Sequence, residues 1–313
     1  MLLGLLLGSA AQAETVLVSN EKGNSITVLD ADSLKVLRTV PVGQRPRGIV
    51  LSKDDKWLYI CASDDDRIDV LDLDNFQLKA PLPSGHDPET FALHPDGEHL
   101  YVSNEDNSLV SIVDIPNRRI VGEIPVGVEP EGMAVSPDGK WIVNTSETTN
   151  MAHFVDNASH AVVANVLVDS RPRHAEWSSD GAQVWVSSEI GGTVSVIDAA
   201  TRKVIHKISF AVPGVPKQAI QAVGIVLTKD RKRAFVALGP SNRVAVVDAQ
   251  TFEVTKYLLV GQRVWNLAFN HDETRLFTTN GISNDISVID VPKLRVIKSV
   301  TVGNQPWGVV VRP

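Results

Sequence analysis

A single cysteine, Cys61, stands in the 313-residue chain, so no disulfide can form within it. It ends the apolar run 57–61 and reads as a buried structural thiol. Cys-x-x-Cys-His is missing, which excludes covalent c-type haem. A basic excess is missing too: formal net charge is −7, which disfavours a generic nucleic-acid binder. There is no His-Glu-x-x-His, no Gly-x-Ser-x-Gly elbow and no phosphate-cradling glycine loop. The eight histidines are scattered, with no pair at metal spacing on a helix. The apolar stretch 1–13 is too short to span a bilayer.

What is present suits a large globular domain. Charged residues are 21% and hydrophobic residues 43%, which argues against disorder and permits a sizeable core. Residues 1–13 end in Ala11-Gln12-Ala13, the small-residue pattern of a signal-peptidase site. They read as a signal peptide whose positive n-region is missing, which places the true start upstream. The mature domain then covers 14–313 and is expected in the periplasm, with no membrane span, as a monomer.

One unit recurs through the whole of that domain. Asp30, Asp72, Asp114, Asp156, Asp198, Asp248 and Asp290 each end an apolar β-branched run, at spacings of 42, 42, 42, 42, 50 and 42. A second marker, Asp54, Asp96, Asp138, Asp180, Asp230 and Asp272, keeps the same spacing in turns such as Pro-Asp-Gly. Between the markers each unit reads as four short strands. In one unit these are 132–136, 141–145, 152–156 and 161–168. Seven four-stranded units of this period predict a seven-bladed β-propeller, all-β, with antiparallel strands in each blade. The mature chain opens on a second strand (15–19) and closes on a first strand (308–312). The last strand therefore completes the first blade and closes the ring, hiding the sheet edges.

The second strands read Leu17-Val18-Ser19-Asn20, Tyr59-Ile60-Cys61-Ala62 and Tyr101-Val102-Ser103-Asn104, with looser copies later. Val-Gly-x-x-Pro-x-Gly precedes the first strand at 42–48, 126–132 and 302–308. On these motifs the chain resembles the YVTN-type propeller repeat proteins from Glu14 onward. Its length, leader, seven units and late insertion look most like the periplasmic propellers associated with pyrroloquinoline quinone (PQQ)-dependent alcohol catabolism. That resemblance implies a non-catalytic accessory protein, with a quinoprotein dehydrogenase or cytochrome as partner and PQQ as a possible ligand. It implies no reaction and no metal.

Equivalent positions form rings around a propeller channel. The residue after the motif proline reads Arg47, Glu89, Glu131, Arg173, Val223, Trp265 and Trp307. Two positions earlier stand Arg45, Asp87, Glu129, Arg171, Gln221, Arg263 and Gln305. As a functional mouth, the arginines would hold carboxylates or phosphates in forked hydrogen bonds and the tryptophans would offer flat faces. In the competing reading, arginines and acids pair between blades and the tryptophans plug the channel. His174 occupies the motif-glycine position and is the histidine to test. The acids of the loop after the second strand, Glu21, Asp64, Asp65, Glu105, Glu147 and Glu189, are expected to form a solvated rim, with a cation ring as the alternative. The insertion at 210–221 is expected to overhang the same mouth. Two other functions stay open: a metal-dependent hydrolase or lactonase-type propeller enzyme, and a structural envelope protein.

Overall fold

The computed structural model describes residues 14–313, so the leader 1–13 lies outside the described residues. Seven four-stranded antiparallel sheets make up the chain, as the repeat predicts. Blade 1 joins the last strand, Pro306–Arg312, to Thr15–Asn20, with Thr15 opposite Arg312 and Val18 opposite Val309. Blades 2 to 7 follow in chain order. The strands of each blade are called A to D from the channel outward. In blade 4 they are Pro130–Val135, Trp141–Ser146, Met151–Asp156 and Ala161–Leu167. Strand A thus begins at the motif proline, two residues earlier than the sequence pattern suggests.

Strands B and C carry the core. Their β-branched and aromatic side chains meet those of the next blade, as where Trp185, Val194 and Val196 of blade 5 cluster with Ala234, Val236 and Ala245 of blade 6. Phe277 and Val288 of blade 7 cluster in the same way with Val16 and Leu29 of blade 1, so closure is apolar as well as hydrogen-bonded.

Both repeated aspartates are turn-makers. Each of the seven that end strand C accepts the backbone N–H three residues on, from Ser33, Asn75, Asn117, Ser159, Thr201, Thr251 and Lys293. Each of the six between strands A and B accepts the N–H two residues on, as Asp138 does from Lys140. This is Asx-turn chemistry, and it explains why the aspartates repeat where the strands vary. Gly139 follows Asp138 at φ +73°, and a Cβ there would lie 2.5 Å from the His94 ring.

These bonds have a pH consequence. Hydrogen bonds from neighbouring hydroxyls and N–H groups hold Asp30, Asp54, Asp180, Asp198 and Asp230 below the ordinary carboxylate range. Asp138 is held lowest, at about 2, chiefly by the Ser136 hydroxyl. A depressed folded-state pKa gives stability that is present above the unfolded value and lost as pH falls through the folded one. The thermal midpoint is therefore expected to hold down to roughly pH 4 and to drop steeply between there and roughly pH 2. A midpoint still level at the lower pH would contradict this role of the turns.

Two departures from the repeat have local causes. Strand D of blade 2 is only Leu82–Pro83, because Pro81 and Pro83 lack the N–H that a longer ladder needs. The insertion before blade 6 carries a short 3-10 turn, Lys217–Ala219, and leaves strand A there as only Ile225–Leu227. It reaches blade 5, where the Ile220 carbonyl lies 2.7 Å from a Cβ placed on Gly192.

Candidate functional site

Strand A of six of the seven blades, blade 6 with its insertion excepted, enters the channel through the same backbone gesture. Arg45, Asp87, Glu129, Arg171, Arg263 and Gln305 all have left-handed φ, between +49° and +59°. The carbonyl of each accepts the N–H of the residue that follows strand B: Ser63, Glu105, Glu147, Glu189, Gly281 and Glu21. That bond sets the loop acids beside the arginine ring. The expected solvated rim holds only in part: Asp64 is exposed, Glu21, Asp65 and Glu105 are half-buried, and Glu147 and Glu189 are buried. Glu147 and Glu189 each expose only 4% of the side chain, and Glu21 13%.

The expected ring residues do come together, and they are paired. Arg45 reaches Asp87 at 2.7 Å and Glu89 at 2.5 Å, with Glu21 and Asp64 at 3.7 and 3.5 Å. Arg47 contacts the other oxygen of Glu89 and lies 3.4 Å from Glu21. Arg173, itself buried, bonds Glu147 and lies 3.3 Å from Glu131 and 3.6 Å from Glu189. Arg171 takes Glu147 at 2.7 Å, and Arg263 takes Glu189 at 2.7 Å and Gln221 at 2.8 Å. The tryptophan faces are covered as well. Arg47 lies over Trp307 at 5.3 Å, and Arg263 and Arg173 lie over Trp265 at 4.3 and 5.6 Å. Burial pushes the pKa of Asp87, Glu105 and Glu147 up; Arg45 opposes it for Asp87, and Arg173 for Glu147. These groups work against the turn aspartates: with a raised folded pKa, stability is gained as pH falls through it.

Beneath this ring the channel holds a cavity of about 160 Å³. Its waist is the motif-glycine position, where Gly48, Gly132, Gly224 and Gly308 alternate with Thr90, His174 and Asn266. The alternation has a steric cause. A Cβ on Gly132 would stand 3.0 Å from the His174 Cα, and one on Gly224 2.9 Å from the Asn266 Cα. The backbone of the next blade thus leaves no room for a Cβ at Gly48, Gly132 or Gly224, and between adjacent blades 1 and 2 both positions, Gly308 and Gly48, are bare. Thr90 bonds the carbonyl of Glu131, and Asn266 bonds that of Trp307 at 2.9 Å. His174, the third of the set, has Nε2 buried without a hydrogen bond, with Glu176 3.7 Å away. The Trp307 indole N–H and both carboxylate oxygens of Glu131, also lining the cavity, are buried without one too.

The carboxylates of Asp87, Glu89 and Glu105 come within 4.8 Å of one another, the spacing of a cation site. They do not fit one as arranged. Both oxygens of Glu89 and one of Asp87 already face guanidinium groups. A divalent ion would have to displace Arg45 and Arg47 against like charge.

Comparison with known proteins is consistent with this architecture. The YNCE-like beta-propeller family model matches residues 53–182, and the model of the lactonase, 7-bladed beta-propeller, matches residues 9–80. The chain resembles YNCE-like and lactonase-type propellers. Hydrazine synthase of Kuenenia stuttgartiensis is similar in structure, at a TM-score of 0.81 and 21% identity over 88% of this chain and 92% of that one. A putative 6-phosphogluconolactonase of Bacteroides uniformis gives 0.80 and 16% over 96% and 100%. The dihydro-heme d1 dehydrogenase NirN gives 0.73 and 16% over 97% and 76%. At these identities the likeness is one of fold. No curated protein matches the sequence.

The lactonase-type match corrects the expected function. Nothing in the comparisons supports a non-catalytic accessory protein linked to PQQ-dependent oxidation, and the match over 9–80 points instead to the lactonase-type alternative. The geometry agrees with the correction: an acidic aromatic ligand would have to compete with buried carboxylates for each arginine.

Proposed function

We propose that the channel cavity opens a small lactone ring by hydrolysis, with His174 as general base. The observation that carries this reading is the unpaired, buried Nε2 of His174 at a waist where its two counterparts are both hydrogen-bonded. Nε2 takes a proton from water, and the water oxygen bonds to the lactone carbonyl carbon. The ring C–O bond then breaks, and its oxygen recovers the proton from the imidazolium, giving a hydroxy acid. The indole N–H of Trp307 donates to the carbonyl oxygen as negative charge gathers there. The Glu176 carboxylate lies 3.7 Å from His174 Nε2. The reading uses no metal. It keeps the YVTN-type description of the repeats, and it includes export through the 1–13 leader, which cell fractionation tests.

The test is proton release from γ-butyrolactone, δ-valerolactone and glucono-δ-lactone. His174→Gln is expected to lower kcat by about 10²–10⁴-fold with little change in KM. Turnover unaffected by His174→Gln, or no ring opening by the wild type, would reject the reading.

A further inference from the structure

The ion pairs of the mouth also set a charge rule for what enters the cavity. Five guanidinium groups, of Arg45, Arg47, Arg171, Arg173 and Arg263, face seven carboxylates, of Glu21, Asp64, Asp87, Glu89, Glu131, Glu147 and Glu189. Glu105, clustered with Asp87 and Glu89, makes an eighth. Among these groups carboxylates outnumber guanidinium groups by three, Glu129 of the same ring adds a further acid, and each of these arginines already holds at least one carboxylate. In the cavity itself the only cationic lining side chain among the described residues, apart from any charge on His174, is Arg173, which is flanked by three glutamates. The space of about 160 Å³ is close to the roughly 150 Å³ that holds one benzene ring.

We propose that the channel selects small uncharged lactone rings and rejects their carboxylated or phosphorylated counterparts. This rests on the lactonase reading for the word lactone. The charge rule itself rests on the mouth alone. An entering anion meets net negative potential in a narrow, partly desolvated passage, where like charges are weakly screened. It finds no guanidinium free to receive it. A neutral ring meets neither obstacle and has the Trp307 N–H as a donor for its carbonyl.

A binding experiment separates the charge rule from catalysis. Two non-hydrolysable probes share one five-membered ring: 2-pyrrolidone, which is neutral, and pyroglutamate, which adds a carboxylate. Ligand-observed NMR on the wild type is expected to show 2-pyrrolidone bound at least about tenfold more tightly at low salt. The gap is expected to narrow in about 1 M salt, where the screening length falls to roughly 3 Å. It is also expected to narrow in the Asp64→Asn, Glu105→Gln double variant, which removes two rim charges and leaves the cavity lining intact. Equal binding, tighter binding of pyroglutamate, or binding of neither probe would overturn the proposal. Selective binding of 2-pyrrolidone by a protein that opens no lactone would sustain the charge rule and reject the catalytic reading.

Discussion

Replacing Arg173 with Met is expected to cost about 3–5 kcal/mol of stability, the range seen when one partner of a buried ion pair is removed. Arg173 exposes 7% of its side chain and stands among Glu131, Glu147 and Glu189, which expose 1%, 4% and 4%. Burial alone would lower its pKa, but the three glutamates raise it overall. Without the guanidinium, Glu131 keeps only Arg47, at 4.0 Å. Glu147 and Glu189 keep Arg171, whose side chain is 46% exposed, and Glu189 also keeps Arg263. Arg171→Gln is the matched control. It removes a half-exposed partner of two of the same acids and is expected to cost under about 1 kcal/mol. Urea unfolding of both variants measures the contrast. Adding Glu131→Gln to Arg173→Met is expected to recover part of the loss. Equal costs for Arg173→Met and Arg171→Gln would contradict a buried network centred on Arg173.

Removing residues 306–313 is expected to abolish the folded monomer. The strand Pro306–Arg312 gives blade 1 its innermost member and buries Trp307 and Val309. Burying each such side chain is worth roughly 1.5–3 kcal/mol. Together with the lost ladder this is comparable to the roughly 5–15 kcal/mol that holds a domain folded. The deletion also bares the edge of Thr15–Asn20, a template for intermolecular pairing. It frees the Leu73 carbonyl, which Arg312 bonds at 2.9 Å across to blade 2. The truncated chain is expected to aggregate on expression. Supplying the missing strand as a peptide is expected to restore soluble protein in proportion to its concentration. A soluble, cooperatively unfolding truncated monomer would refute closure as a requirement.

The fold was legible because its markers are local. Asp30 and its six equivalents each serve a turn within three residues, so the repeat preserves them whatever the strands become. The arginine–acid pairing was half legible. Arg45 and Asp87 stand at one position in consecutive blades, and consecutive blades are neighbours. The burial of Glu147 and Glu189 was not legible from composition, since acids after a strand usually point to water. A signal did exist. Each follows its ring residue, Glu131 or Arg173, at the same interval, and the backbone bond from the loop to strand A fixes that interval in space. The waist was missed for a different reason. His174 stood out as a broken glycine motif, but the roles of Thr90 and Asn266 emerge only when strands A are laid side by side. Their hydrogen bonds are what make His174 the exception.

That exception can be observed directly. The chain has eight histidines, and their imidazole nitrogens can be followed by ¹⁵N NMR, with His174 identified by its absence in His174→Gln. Titrating the wild type with 2-pyrrolidone is expected to move the His174 Nε2 resonance saturably and to leave the other seven in place. A ligand that binds without moving it, or that moves a different histidine, would contradict a catalytic cavity built around His174.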